Sequence, residues 1–258
     1  MAQQICQPDY ITTDATACVS SLKVLMDCQM LEAYGFTRFI ILGVEDAVSN
    51  SVLEFFGDAG ASLTMKREEE GILPSAFDQK NGGFYVGQGA VFAVLQSEKE
   101  VLHYGLTPKA RLMSAYHAAE ITGNAIGQRD DGEGYVNAIE GALAHGQVNR
   151  RDISIVKSHG TGTASNNASE RAALFRTLNN FVATSYKQKI GHTMGSSGLL
   201  ESLLLLEDMK KGFVPPIENR TESDSVFLSE PTKPPKGLVL SLAAGMGNIY
   251  SAAIFEGL

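Results

Sequence analysis

Apolar and polar residues follow two different periods along this chain, and together they predict a layered α/β fold. Apolar positions at helical spacing predict four helices, and short β-prone runs predict eight strands. The predicted helices lie near 18–34, 133–146, 167–179 and 196–211, and the predicted strands near 9–16, 36–43, 84–97, 109–118, 152–158, 181–186, 238–243 and 249–256. Because strands and helices alternate along the sequence, we expect them to pack as stacked layers.

Two segments interrupt this alternation. Residues 49–73 combine glycines with the charged run from Lys66 to Glu70, which indicates a surface crossing made of loop and short helix. Residues 223–236 are rich in proline and poor in apolar side chains, which predicts an exposed connection.

A cysteine stands where the first predicted strand meets the first predicted helix. Cys18 follows the β-prone run at residues 10–13, and helical spacing of apolar residues begins at Val19. A thiol in the first turn of a helix lies among unpaired backbone N–H groups at the positive end of the helix dipole. These surroundings favour a thiolate, so the pattern predicts a pre-charged nucleophile.

Two histidines also follow strand-like runs. His159 comes after residues 152–156 and precedes Gly160 to Thr163, a turn rich in backbone N–H groups and hydroxyls that suits a polar ligand. His192 precedes Gly195 and Gly198, small residues that let a substrate approach the backbone closely.

These segments carry a family resemblance. The motifs ATACVSS around Cys18, KSHGTGT around His159 and SYKQKIGHTMGSSG around His192 occur in the order found in β-ketoacyl-acyl-carrier-protein synthases, the elongating condensing enzymes of the thiolase superfamily. FDQKNGGFYVGQGA (77–90) resembles the glycine-rich strand entry of that family, and VPPIEN (214–219) resembles the loop after its long C-terminal helix. The resemblance extends from about Ile11 to the C-terminus.

The resemblance implies a thiolase-like α/β fold of five layers, αβαβα, of which this chain lacks most of the N-terminal half. Residues 1–100 would be the remainder of that half with the nucleophile, and residues 101–258 the C-terminal half with both histidines. Removal of the strands that normally flank the nucleophile strand would leave backbone edges and an apolar layer exposed.

The implied activity is that of a 3-oxoacyl-[acyl-carrier-protein] synthase. Cys18 would accept an acyl group from a carrier thioester, and His159 and His192 would donate hydrogen bonds to the carbonyl of a malonyl carrier as it decarboxylates and attacks. The resemblance implies roles for five further residues. Lys187 and Glu201 would form a supporting ion pair, and the hydroxyls of Thr161 and Thr163 would hold the pantetheine arm. The backbone N–H of Met246 would form an oxyanion hole together with that of Cys18.

Several departures from the family pattern keep a second hypothesis open. Ala244 and Met246 occupy the aromatic gate positions, and Asn167, Gln88 and Gly82 stand where the family has acidic residues. The alternative is a non-catalytic subunit that resembles a chain-length factor and shapes the pocket of an active synthase. A thiolase that acts on coenzyme A is a weaker third interpretation, because thiolases use a second cysteine near the C-terminus and none follows Cys28.

Partners and location follow from the resemblance and the composition. The expected partners are an acyl carrier protein and either a second copy of this chain or a full-length ketosynthase paralogue. The net charge of −8 disfavours nucleic acid, and no apolar run is long enough to span a membrane, so a cytoplasmic enzyme is expected. No metal or organic cofactor is implied, since the 4'-phosphopantetheine arrives on the carrier.

The remaining thiols and imidazoles are expected to be inert. Three irregularly spaced cysteines argue against a disulfide framework. Those without a motif are Cys6, Cys28, His103, His117 and His145.

Overall fold

The computed structural model describes residues 8–80, 82–122, 127–222 and 226–257. The helices are α1 Ser20–Glu32, α2 Asn50–Asp58, α3 Met65–Glu69, α4 Glu98–His103, α5 Glu133–His145, α6 Ala164–Thr177, α7 Lys187–Ile190 and α8 Ser197–Lys210. The strands are β1 Arg38–Glu45, β2 Gly89–Gln96, β3 Ala110–Ala119, β4 Ile153–Lys157, β5 Val182–Thr184, β6 Leu238–Gly245 and β7 Ile249–Gly257. Short 3₁₀ turns cover Ala17–Val19, Arg150–Asp152 and Met194–Ser196.

Five strands form the main sheet in the order β3-β7-β6-β4-β5. β4 runs parallel to both β5 and β6, whereas β7 is antiparallel to β6 and β3. The side chains of β6 alternate between the two faces: Leu240 and Leu242 join one apolar core, and Val239 and Ala243 join another. This period of two is what a strand with both faces covered requires.

Helices cover both faces of this sheet. α5 and α6 pack on one face around Tyr135 and Ile139, and α1 and α8 pack on the other around Leu22 and Leu199. The antiparallel pair β1–β2 lies beyond α1 and α8 as a fourth layer, with Ile41 and other inward side chains in the second core. The described residues therefore stack as α, β, α and β layers.

The outer face of the β1–β2 pair is apolar and uncovered in the described part of the chain. The register places Leu42 opposite Phe92 and Ile40 opposite Val94 on this face. These four side chains and Val44 are 46% to 63% exposed. The exposed apolar layer agrees with the expectation from the sequence.

The prediction of a strand at residues 9–16 is wrong. Residues 8–16 form no strand, because no strand of the described chain lies alongside to share hydrogen bonds. Asp14 instead accepts hydrogen bonds from Thr16 and pairs with Lys23 of α1 at 2.8 Å, which ties the segment to that helix.

Other boundaries differ in smaller ways. Residues 49–73 contain two helices, α2 and α3, and α4 was not predicted. The strand expected at 84–97 begins only at Gly89. Before it, Phe84 and Val86 make isolated bridges, to Ser62 and to His192. Within the predicted exposed connection, residues 223–225 lie outside the described residues, and Phe227 is fully buried against Phe77 with ring centroids 4.0 Å apart.

None of the helices in the described ranges is long and apolar enough to span a membrane. The division of the chain at residue 100 stays a prediction.

Replacement of Gly134 by alanine is expected to destabilise the chain by about 1–3 kcal/mol. A Cβ at Gly134 in α5 would lie 2.0 Å from Cε2 of Tyr250, which is itself fully buried. The gain in helix propensity, roughly 1 kcal/mol, does not offset that overlap. Denaturant unfolding measures the loss, with Gly57→Ala in α2 as the control because its Cβ would meet nothing closer than 3.5 Å. Equal effects in the two variants would contradict the packing argument.

Candidate active site

Cys18 lies on a tight turn that leads directly into α1. The turn Ala17–Val19 begins with Ala17 in the left-handed region, at a φ of 49°. The turn contacts Met194–Ser196, which follows His192, and the end of β6. The cysteine side chain is half-buried against the small cluster of Ala47, Phe84 and Met194.

The surroundings of Cys18 do not favour a thiolate. Burial raises the pKa of the thiol to about 11, although the ammonium group of Lys187 acts in the opposite direction. The carboxylate of Glu45, whose Oε2 accepts from the N–H of Gly195 at 3.1 Å, raises the pKa further. The prediction of a pre-charged nucleophile is wrong for the free protein, because loss of hydration outweighs the helix-start effect.

The absorbance of the Cys18 thiolate near 240 nm is expected to appear only around pH 11. An ordinary thiol ionises near pH 8.5. Subtraction of the Cys18→Ala titration removes the contributions of the other cysteines and of tyrosine. A midpoint at or below pH 8.5 in the difference curve would show that the helix start dominates instead.

His159 and His192 face each other in the interior. Their ring centroids are 5.4 Å apart with the ring planes at 80°. His192 also meets Phe84 edge to face at 5.0 Å, so Phe84 links the histidine to the cluster that holds Cys18. The structure thus brings the predicted cysteine and both predicted histidines to one place, although they are far apart in sequence.

Both histidines are neutral at physiological pH. Burial, followed by the positive charge of Lys187, lowers the pKa of each ring well below its usual value. Lys157 and, for His159, the neighbouring ring of His192 add to the effect. A neutral imidazole carries one N–H donor and one acceptor nitrogen.

A buried ion network lies behind the histidines. Lys187 Nζ donates to Glu201 Oε1 at 2.8 Å and to Oε2 at 3.1 Å, which is the ion pair that the resemblance implied. Lys157, which the sequence analysis did not select, donates to Glu201 Oε2 at 3.2 Å and to the Leu242 carbonyl at 2.7 Å. Burial alone would raise the pKa of Glu201, but the two lysines hold it below its usual value.

Burial affects the charge of Lys157 in particular. It is fully buried in β4, which lies between β6 and β5, and it stands two residues before His159. Burial lowers the pKa of its ammonium to about 8 despite the attraction of Glu201. The sequence carries only a weak signal for it, since a lysine that ends an apolar strand is more often solvated.

Glu170 holds the loop that carries His159. Its carboxylate accepts from the backbone N–H of His159 at 2.6 Å and of Gly160 at 2.9 Å, and from the side chain of Asn166 at 3.0 Å. Burial raises the pKa of Glu170. Glu170, eleven residues after His159, lies within the helix that the sequence predicted, but its role was missed because its contact with the His159 loop is not visible in the local pattern.

The two threonines lie on the same loop. Thr161 is buried, and its hydroxyl is 3.2 Å from that of Thr163. Thr163 also caps α6, where its hydroxyl accepts from the N–H of Asn166 at 3.4 Å. Their contact with a pantetheine arm stays a prediction.

Met246 lies beside the cysteine turn. It is half-buried in the turn between β6 and β7. At the preceding Gly245, a Cβ would lie 3.4 Å from the Cβ of Ala17. The backbone groups of Cys18 and Met246 therefore belong to adjacent turns, which suits a shared oxyanion site.

The substituted acidic positions have structural explanations in two cases. Asn167 Oδ1 accepts from the backbone N–H of Phe77 at 3.0 Å. A side chain does not fit at Gly82, where a Cβ would lie 2.0 Å from the Leu73 carbonyl oxygen. Gln88 is exposed, and its substitution has no explanation in the structure.

The residues expected to be inert that the structure describes lie away from this site. Cys28 is buried in α1, and Cys6 lies outside the described residues. His103 and His145 are exposed at helix ends, and His117 contacts Ser251 at 3.0 Å on the main sheet.

Comparison with known proteins finds that this chain is similar to β-ketoacyl synthases. Residues 114–221 match the family model described as the β-ketoacyl synthase C-terminal domain. The chain is 26% identical to the tetracenomycin polyketide synthase ketoacyl synthase alpha subunit of Streptomyces glaucescens, over 95% of this chain and 59% of that protein.

Solved structures share the fold. A type II polyketide synthase acyl-carrier protein in complex with its ketosynthase, bound to the hexaketide, matches with a TM-score of 0.89 and 20% identity over 96% of this chain and 63% of that chain. The ishigamide ketosynthase/chain length factor matches with a TM-score of 0.87 and 21% identity over 100% of this chain and 63% of that chain. The thiolase-like fold class is thereby confirmed, and this chain spans about 60% of the length of each of these three proteins.

Proposed function

Because this chain carries a β-ketoacyl synthase C-terminal domain and is related to β-ketoacyl synthases along nearly its whole length, we propose that it elongates acyl chains. The reaction would be that of a 3-oxoacyl-[acyl-carrier-protein] synthase, a decarboxylative Claisen condensation with malonyl carrier protein. The observation that carries the proposal is the packing of Cys18 on the cluster that contains Phe84, with His192 against Phe84 and His159 against His192.

In the first half-reaction, the sulfur of Cys18 attacks the thioester carbonyl of an acyl carrier. The carbon–sulfur bond to the carrier breaks, and the acyl group remains on Cys18, so that one difficult transfer becomes two easier steps. The backbone N–H groups of Cys18 and Met246 would bind the oxyanion. Each such donor contributes roughly 3–4 kcal/mol to the transition state in other enzymes.

In the second half-reaction, a malonyl carrier loses carbon dioxide and its carbanion attacks the acyl carbon on Cys18. A carbon–carbon bond forms, the carbon–sulfur bond to Cys18 breaks, and the cysteine leaves as a thiolate. We assign to His159 the hydrogen bond to the malonyl thioester carbonyl, where negative charge develops as the carboxylate leaves. Burial of the ring favours this role, because a donor in a site without water needs no reorganisation when the charge appears. The contact strengthens in the transition state, which is the condition for catalysis.

The proposal includes the substrates and partners that the resemblance implies. The acyl and malonyl groups would arrive on 4'-phosphopantetheine arms, with Thr161 and Thr163 near the arm, and neither a metal nor an organic cofactor takes part. A carrier protein occurs in one of the structural relatives and a chain-length factor in another. We propose that this chain acts in the cytoplasm with an acyl carrier protein, as a homodimer or beside a full-length ketosynthase.

A non-catalytic role as a chain-length-factor-like subunit is the second candidate. The raised thiol pKa of Cys18 and the methionine at the gate position favour it. Similarity to a ketosynthase/chain length factor assembly is compatible with either role.

Intact-mass spectrometry distinguishes the two candidates. The purified chain, alone and together with a full-length β-ketoacyl synthase, is incubated with acyl carrier thioester. An acyl adduct that is absent from Cys18→Ala supports the enzyme, and an adduct that needs the second protein supports completion in trans. A folded complex without any adduct would refute the catalytic proposal and favour the subunit.

A further inference from the structure

Ser197 connects a histidine to a carboxylate at the start of α8. Its hydroxyl oxygen is 3.2 Å from Nδ1 of His192, and its hydroxyl hydrogen-bonds to Glu201, one turn further along the helix. All three residues are at most 2% exposed. They therefore form a continuous buried hydrogen-bond chain, Glu201–Ser197–His192.

The direction of the hydrogen bonds in this chain follows from proton counting. An ionised carboxylate only accepts, and a serine hydroxyl has a single proton to donate. Glu201 receives two ammonium groups, Lys187 at 2.8 Å and Lys157 at 3.2 Å, and these keep it ionised. The hydroxyl proton of Ser197 is therefore directed to Glu201, which leaves the serine oxygen to accept a hydrogen bond from Nδ1–H of His192.

This direction decides the tautomer of His192. Its Nδ1 carries the ring proton and donates a hydrogen bond to Ser197, and a neutral imidazole has only one N–H. Burial and the two lysines hold the pKa of His192 well below its usual value, so a second proton is absent near neutral pH. Nε2 consequently carries a lone pair and accepts rather than donates.

A proton acceptor is needed close to Cys18. The thiol is protonated in the free protein, since burial raises its pKa to about 11. Phe84 packs edge to face on His192 and belongs to the cluster against which Cys18 lies. The turn that carries Cys18 also contacts the turn that follows His192.

We propose that Ser197 is a positioning residue that sets the tautomer of His192 and so makes Nε2 the acceptor of the Cys18 proton. The role rests on the proposed function. As the S–H bond of Cys18 breaks, the proton moves to Nε2 and the sulfur forms its bond to the thioester carbon. The carbon–sulfur bond to pantetheine then breaks, and the departing thiolate takes the proton back from Nε2. The two histidines thus have different tasks, with His159 as donor and His192 as acceptor.

Nitrogen-15 NMR of the whole chain tests the tautomer without any turnover. In the wild type, His192 is expected to show a protonated Nδ1 and a bare Nε2 at pH 7. In Ser197→Ala the ring loses its acceptor, and the proton is expected to move to Nε2 in a large fraction of molecules. Ser202→Ala is the matched control. Ser202 is also buried in α8, but its hydroxyl donates to the Gly198 carbonyl at 2.6 Å and takes no part in the Glu201–Ser197–His192 hydrogen bonds.

Alkylation of Cys18 by iodoacetamide at pH 7 tests the acceptor role, again without carrier substrates. Ser197→Ala is expected to slow alkylation at least fivefold, and Ser202→Ala to leave it within twofold. A protonated Nε2 in the wild type, or unchanged alkylation in Ser197→Ala, would overturn the proposal. If Ser197→Ala does not fold, Ser197→Thr, which keeps a hydroxyl, is expected to retain the wild-type tautomer and rate. If the tautomer and the alkylation rates are as expected but no acyl adduct forms on Cys18 with acyl carrier thioester, the proposed function is refuted and the role of Ser197 is not.

Discussion

Replacement of Glu201 by leucine is expected to destabilise the folded chain by about 3–5 kcal/mol, the usual cost of a buried charge that has lost its partner. Glu201 is the carboxylate shared by Lys157 and Lys187, and all three side chains are at most 1% exposed. Without it, two ammonium groups remain in the core. Denaturant unfolding at pH 7 measures the loss, with Glu207→Leu as control because Glu207 lies on the same helix in an exposed pair with Lys109. Similar losses in the two variants would contradict this account.

The stability of the Glu201→Leu variant is expected to depend on pH in a defined way. Burial lowers the pKa of Lys157 to about 8 in the folded chain, against 10.5 for an exposed lysine. Between these values the unfolded chain binds more protons, so the contribution of Lys157 to stability rises with pH. Without the attraction of Glu201 the folded pKa falls further, and the window of rising stability widens toward lower pH. Addition of Lys157→Met to Glu201→Leu is expected to recover part of the lost free energy of unfolding. It is also expected to remove the additional rise of that free energy with pH.

Replacement of His159 by alanine is expected to slow decarboxylation of a malonyl carrier by about 10²–10³-fold, the effect of losing one oxyanion donor in other enzymes. Acylation of Cys18 is expected to change only a few-fold, because the proton acceptor for that step is His192. Mass spectrometry follows both steps, as loss of carbon dioxide from the malonyl carrier and as the acyl adduct on Cys18.

His145→Ala provides the control for the histidine substitution. His145 is exposed at the end of α5, and its replacement is expected to alter neither step. Melting curves of the two variants show whether His159→Ala remains folded. A parallel loss of acylation and decarboxylation in a folded His159→Ala protein would refute the division of labour between the histidines.

Much of the fold could be predicted from local pattern. Helices α1, α5 and α8 and strands β3, β4, β6 and β7 lie within a few residues of their predicted bounds, because apolar periodicity reports directly which face of an element is buried. The wrong prediction of a strand at residues 9–16 shows what local pattern does not report. Residues 9–16 have β-prone composition, but a strand also needs a neighbour, and composition carries no information on neighbours.

The reactive groups of the site and the Lys187–Glu201 ion pair could be predicted, but several other supporting groups could not. Cys18, His159 and His192 follow recognisable motifs. Lys157, Glu170 and Ser197 were missed because each acts through a contact with a residue whose identity the local sequence does not reveal. Gly82 and Asn167, which looked like losses of charge, have packing or backbone hydrogen-bonding reasons that only the neighbouring segments disclose.

The sequence by itself determined most of the long elements, their order, and which thiol and imidazoles lie at their ends. These properties depend on periodicity and on motifs a few residues long. Only the tertiary structure decided the state of those groups: a protonated Cys18, two neutral histidines, and a carboxylate shared by two lysines. Ionisation depends on hydration and on charges within a few ångströms, and at this site those charges come from segments that are distant in the chain.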